Sequence, residues 1–227
     1  MYDLYIANKN YSSWSLRPWV LMRELAIPFR ERLVAFGDES SWQSYRKIAP
    51  AGKVPCLIDG DTVVWETLAI AEYLAERHSG VWPAAPGARS WARSAASEMH
   101  SAFGELRGRC SMSCGVRIRL NEFPAALERD LARLGTLWND GLRRFGGPYL
   151  AGGAFTAVDA FYAPVAFRIQ SYGLALDPVS MAYVDRLLNA RAMRDWYADA
   201  LKETLRDQPH DDEIAQVGRV LEDLRAT

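Results

Sequence analysis

Residues 3–36, "DLYIANKNYSSWSLRPWVLMRELAIPFRERLVAF", decide the fold. "DLYIA" (3–7) reads as a short strand, and "SLRPWVLMRELA" (15–26) carries apolar residues at helical spacing. "IPFRERLVAF" (27–36) then returns to an alternation suited to a strand. Working outward from this strand–helix–strand unit, "SWQSYRKIA" (41–49) reads as a short helix. "VPCLID" (54–59) and "TVVWE" (62–66) are strands joined by the tight turn "GD", and "TLAIAEYLAERH" (67–78) is a helix. The predicted order is βαβαββα.

Residues 79–88, "SGVWPAAPGA", interrupt both periodicities, which predicts a domain at 1–79, a linker at 80–88 and a second domain at 89–227. Downstream the patterns are helical, over about 89–114, 122–145, 156–172 and 178–203 with a break. The charged tail after "DQPHDDE" (207–213) adds one exposed helix. An all-helical bundle is expected.

Composition narrows the function classes. The 227 residues carry 27 basic and 28 acidic side chains, so the net charge of -1 leaves no broad footprint for nucleic acid or an anionic membrane. With 49 % apolar and 24 % charged residues the chain is ordinary globular material rather than disordered. No apolar run reaches the ~18 residues of a membrane span, and "MYDLYIANKN" lacks the order of a signal peptide, so a cytoplasmic protein is expected. Cys56, Cys110 and Cys114 cannot all pair; the last two, four residues apart on a predicted helix, read as buried thiols. His78, His100 and His210 are scattered, and no metal site is expected.

Three short motifs carry chemical meaning. Ser12, Ser13 and Ser15 stand at a helix entrance, where a hydroxyl caps the helix or donates to an anion beside the positive end of the dipole. A thiolate is such an anion. Pro55 at the mouth of a strand marks a turn, an edge or a cis bond, and a cis Val54–Pro55 bond would turn the backbone of Val54 outward to pair with a peptide-like ligand. Glu66 and Thr67 open a helix, where free first-turn amides suit a carboxylate and Glu66 suits an ammonium group. In "FTAVDAFYAPVAF" (155–167), Thr156 and Asp159 have capping-box spacing and Phe155 the place of a hydrophobic staple.

In this order the motifs resemble the glutathione S-transferase family over nearly the whole chain. "SSWSLRPW" resembles the serine motif of its zeta and tau classes, "KVP" the cis-proline element and "ETLAIAEYL" the γ-glutamyl signature. The resemblance implies a thioredoxin-like first domain and a helical second domain, glutathione as co-substrate without a metal, and a homodimer. It implies a serine-type enzyme near a zeta/tau-like bacterial branch, with Ser12 as the thiol-activating residue and Ser13 its nearest substitute. Lys53, Val54 and Pro55 with Glu66 and Thr67 would hold glutathione, and Phe103, Arg107 and Met112 would line the electrophile pocket. The activity implied is attack of the glutathione thiolate on a small electrophile; the alternatives are isomerisation of a maleyl compound and a non-catalytic interaction protein. Trp14 in "SSWS" stands where the isomerase motif has cysteine, and alignment from Asp159 places Ser171, with Arg168 a turn earlier, where that enzyme has arginine.

Overall fold

The computed structural model describes residues 1–37 and 39–226, with the backbone alone at 39–42 and 44. The first domain follows the expected order: β1 (Tyr2–Ile6), α1 (Ser13–Glu24), β2 (Phe29–Leu33), α2 (Glu39–Ile48), β3 (Cys56–Asp59), β4 (Thr62–Trp65) and α3 (Thr67–Ala75). Tyr2, Leu4 and Ile6 of β1 are buried while Asp3 and Tyr5 are less so, the period of two that marks a strand. β1 lies between β2, parallel to it, and β3, antiparallel to it, in a sheet of order β2-β1-β3-β4. The β3–β4 hairpin turns at Gly60, whose φ of +58° suits a residue without a Cβ. This is a thioredoxin-like domain.

The second domain contains α4 (Pro86–Ser101), α5 (Gly104–Arg109), α6 (Ala125–Phe145), α7 (Ala157–Tyr172), α8 (Pro178–Asn189), α9 (Arg191–Lys202) and α10 (Gln208–Val217). α4 begins at Pro86, inside the stretch read as linker, with proline in its first turn, where no N–H is needed. α7 is apolar on nearly every side and correspondingly buried, packed by α1, α4 and α8. It is the central post of the molecule. Asp159 in its first turn accepts from the Thr156 N–H (2.9 Å), completing the capping box. The same carboxylate accepts from Leu150 N (3.0 Å) and the Tyr183 hydroxyl (2.8 Å). Phe155 packs edge-to-face on Tyr149.

Two features depart from the sequence reading. The helical pattern of 89–114 breaks at Ala102–Phe103, where Phe103 takes a left-handed φ of 57°; Cys110 caps α5 and Cys114 lies in a loop, so they do not share a helix. Beyond that loop β5 (Val116–Leu120) pairs antiparallel with β6 (Gly218–Asp223), adding a two-stranded ribbon to the helical domain. The buried Val116 and Ile118 alternate with Arg117 and Arg119, but the strand's partner stands a hundred residues away in a charged tail.

The loop between β1 and α1 is clamped against α9. Lys9 Nζ binds Glu31 (2.9 Å) and Asp199 (2.8 Å), and the indole N–H of Trp196 donates to Lys9 O (2.8 Å). Glu203 accepts from the backbone N–H of Lys9 (2.6 Å) and of Asn10 (3.0 Å). Removing that carboxylate leaves two shielded donors without partners, so Glu203→Ala is expected to cost about 2 kcal/mol of stability. Denaturant titration checks the value, and a change under about 0.5 kcal/mol would show that water replaces the carboxylate.

Candidate functional site

The clamped loop delivers Ser12 to the N-terminus of α1. Ser12 is the N-cap: its Oγ accepts from Ser15 N (3.4 Å) and lies 2.7 Å from Ser15 Oγ, which in turn accepts from Ala7 N (3.1 Å). Between two hydroxyls either can supply the proton. Here Ser12 donates to Ser15 Oγ, so an anion at the helix entrance would compete for that proton. Ser13, first residue of the helix, is half-buried, and its hydroxyl makes no hydrogen bond among the described residues.

Both serines line a cavity of about 920 Å³ between the domains. Trp14, Lys53, Val54, Arg107 and Met112 line it too, with an aromatic side made by Tyr11, Phe36, Tyr45 and His210. A smaller cleft of about 140 Å³, lined by Trp14, Lys53, Val54, Pro55, Trp65 and Glu66, shares three of these walls. The large space takes a drug-sized molecule, whereas the small one takes one end of an extended chain.

The Val54–Pro55 peptide is cis. Val54 stands outside the sheet ladder, and among the described residues none of the loop and turn hydrogen bonds uses its backbone. Glu66 is exposed and holds a φ of +68°, an uncommon conformation for a residue with a Cβ; strain of this kind, about 1–3 kcal/mol, concentrates at binding sites. It caps α3 through its backbone without using its side chain, so its carboxylate is left for another partner. Thr67 is buried in the first turn of α3, with Oγ1 3.5 Å from His100 Nδ1.

Most of the residues expected from the sequence thus meet around two joined spaces. Thr67 and Phe103 do not: Thr67 lines neither space, and the left-handed turn that starts α5 folds the Phe103 ring into the hydrophobic core, away from the cavity walls. His210 and Phe36 do line the cavity, although neither was singled out from the sequence. His210 reaches it from α10, stacked on Phe36 (5.2 Å between ring centres), with Nδ1 2.5 Å from Asp207 Oδ2. Arg168 is a wall as well, whereas Ser171, reached by the alignment, turns to donate to Ser113 O (2.6 Å). All three cysteines are buried, Cys110 and Cys114 as expected. Burial pushes the Cys56 thiol up to about 11 and Cys110 to about 12, so neither offers a thiolate at neutral pH.

The sequence matches two family models, "Glutathione S-transferase, N-terminal domain" over residues 11–77 and "Glutathione S-transferase, C-terminal domain" over residues 117–199. The chain belongs to the glutathione S-transferase family. Among curated proteins it is 25 % identical to glutathione S-transferase hmp2 of Hypomyces subiculosus over 177 residues, 69 % of this chain and 79 % of that one. It is 43 % identical to a dichloromethane dehalogenase of Methylorubrum extorquens over 61 residues, 26 % of this chain and only 21 % of that one. Among solved structures, a Burkholderia glutathione transferase homolog with bound glutathione superposes with a TM-score of 0.65 at 21 % identity, covering 88 % of this transferase-family chain and 97 % of the other. A glutathione transferase Omega 3C from Trametes versicolor gives 0.67 at 20 % identity, covering 95 % and 91 %. At such identities these structures establish the shared fold. Among the described residues no three His, Cys, Asp or Glu side chains gather as a metal site, and no helix is long and apolar enough to cross a membrane.

Proposed function

We propose that this family member is a serine-type glutathione transferase, in which glutathione lies along the small cleft and its thiolate attacks an electrophile held in the large cavity. The observation that carries the reading is the placement of Ser12, Val54 and Glu66 along two spaces that share Trp14, Lys53 and Val54 as walls. Val54 would pair its backbone with the cysteinyl part as an added strand does. Glu66 would bind the γ-glutamyl ammonium group, and the free first-turn amides of α3 with the Thr67 hydroxyl its carboxylate. Lys53, exposed at the junction, would add a cation near the peptide backbone.

Ser12 is favoured over Ser13 as the residue that meets the thiol, because its hydrogen bonds with Ser15, itself held by Ala7 N, fix its oxygen at the cavity wall, and turning its O–H from Ser15 Oγ to the sulfur would supply the proton. A free thiol titrates at about 8.5, and lowering it by about two units takes roughly 2.7 kcal/mol of preference for the anion. A hydrogen bond to a charged acceptor, about 1.5–3 kcal/mol, together with the helix terminus supplies that amount. Ser13 adds a second hydroxyl beside the first.

Met112 and Arg107, with the aromatic wall, would form the electrophile side. A panel of halogenated aromatics, epoxides, peroxides and maleyl acids, incubated with glutathione and analysed by product mass, tests the reading. Conjugates are expected; recovery of unchanged glutathione with an isomerised acid would point to the isomerase instead. The family likeness also supports a cytoplasmic homodimer, which sedimentation at micromolar concentration tests for its oligomeric part.

A further inference from the structure

Two guanidinium groups stand over Trp14 and a third, that of Arg168, lines the same cavity; among the described residues no carboxylate is paired to any of them. Arg17 is buried in α1 with its Cζ 4.1 Å from the Trp14 ring centre and 5.0 Å from that of Phe161; its Nε and Nη1 have no hydrogen-bond partner among the described residues. Arg107 lies 5.0 Å from the same indole, and Nη1 donates to the carbonyls of His100 (3.0 Å) and Ala102 (3.1 Å). Arg168 is buried, with Nε donating to Cys110 O (2.7 Å) and Nη1 to Pro164 O (3.4 Å). Aromatic faces and carbonyl oxygens are partial compensation for a full positive charge. Burial draws Arg168 down to about 10, and Arg17 falls well below its usual range through burial and then the charges of Arg168 and Arg107.

Among the described residues the nearby acidic groups are engaged or face elsewhere. Glu213 takes the Ser111 hydroxyl, and Asp207 takes His210. Glu66 is exposed at the other end, in the smaller cleft. A buried cluster of one sign is costly to the fold unless something of the opposite sign occupies it. Arg107 and Arg168 line the large cavity with Met112, and Tyr11, Phe36, Tyr45 and His210 line it too.

We propose that the electrophile of this enzyme carries a carboxylate on a flat apolar body, with Arg168 and Arg107 holding the carboxylate and Tyr11 and Phe36 covering the body. Arg17, behind Trp14, adds field without touching the ligand. This proposal rests on the transferase reading. Guanidinium forks match a carboxylate two hydrogen bonds at a time, which fixes both where the substrate lies and which carbon faces the thiolate.

The test compares 4-chloro-3-nitrobenzoate with its methyl ester. In each, the glutathione sulfur forms a bond to the chlorine-bearing carbon and chloride leaves with the bonding pair, while the thiol proton passes to solvent. Each kcat/KM is divided by the uncatalysed rate with glutathione at the same pH, which removes the different intrinsic reactivity. The acid is expected to show the larger enhancement by about tenfold or more, the worth of one charge-assisted hydrogen bond. Arg168→Gln is expected to lower the acid-to-ester ratio by about tenfold, Arg168→Lys by less, and Arg107→Gln to lower it as well. Arg107 is half-exposed, so its variant decides the matter should Arg168→Gln fail to fold. Equal enhancement of acid and ester, or variants that reduce both alike, would overturn the proposal. So would a loss of glutathione affinity matching the loss on the acid, because the arginines would then hold a carboxylate of glutathione itself. Glutathione binding to the unaltered protein is measured separately; its absence would instead overturn the transferase reading.

Discussion

Replacing Asp159 by alanine is expected to lower the stability of the protein by about 4 kcal/mol. The carboxylate accepts from two backbone amides, Leu150 N and Thr156 N, and from the Tyr183 hydroxyl, all in the interior. Alanine would strand these donors at about 1–3 kcal/mol for each that finds no substitute, and would open the first turn of α7. Part of the loss is offset because a buried carboxyl is itself costly. Burial raises Asp159 to about 6 against an ordinary 3.8, despite its hydrogen bonds. The folded state therefore binds more protons than the unfolded state between those values. Through this group stability is greatest below about pH 4 and falls as pH rises through about 6. Urea titration of Asp159→Ala at neutral pH gives the magnitude. Asp159→Asn, of similar shape but without the titration, should lack that component of the pH dependence; equal slopes in the two proteins would contradict the assignment.

Ser12→Ala is expected to lower kcat/KM for a neutral electrophile by about 30-fold at neutral pH while leaving glutathione affinity within a few-fold. A hydrogen bond to the thiolate of about 2 kcal/mol sets that size. The change also removes the cap of α1, costing about 1 kcal/mol of stability, so rate and stability must be read together. Ser15→Ala separates the two roles. It removes the partner that holds Ser12 Oγ and takes the Ala7 N–H, but leaves the capping hydroxyl and Ser15 N in place. A loss of roughly fivefold is expected, from a Ser12 hydroxyl that is no longer held in place. If the loss in Ser12→Ala vanishes when glutathione is supplied as a fully ionised thiolate at high pH, the hydroxyl acts on ionisation. If it persists undiminished, the hydroxyl acts on something else.

The first domain was legible because its elements are local. Tyr2, Leu4 and Ile6 alternate with polar neighbours, α1 and α3 carry helical spacing, and the β3–β4 turn needs a glycine at 60. The capping box of α7 was legible for the same reason: donor and acceptor stand three residues apart. The ribbon of β5 and β6 was not, because Val116 finds its partner at Asp223 and five residues of weak alternation do not announce a strand without one. Phe103 has the composition of a pocket residue, yet a single left-handed φ turns it into the core. His210 joins Tyr11 and Phe36 across most of the chain, through the fold of the tail over the cavity. Arg168 stands in the sequence one helical turn before the Ser171 that alignment reaches, with nothing local to show that it lines the cavity. The hydrogen bond from its Nε to Cys110 O, across 58 residues, holds it where it lines the cavity.

The most direct test of the account is titration of the thiol of glutathione bound to the unaltered protein, followed by thiolate absorbance in the ultraviolet with saturation checked at each pH. The account predicts binding below millimolar concentration and a bound thiol that ionises about two units below the free value of about 8.5. A bound thiol that titrates with the free one, or no binding at millimolar glutathione, would contradict it.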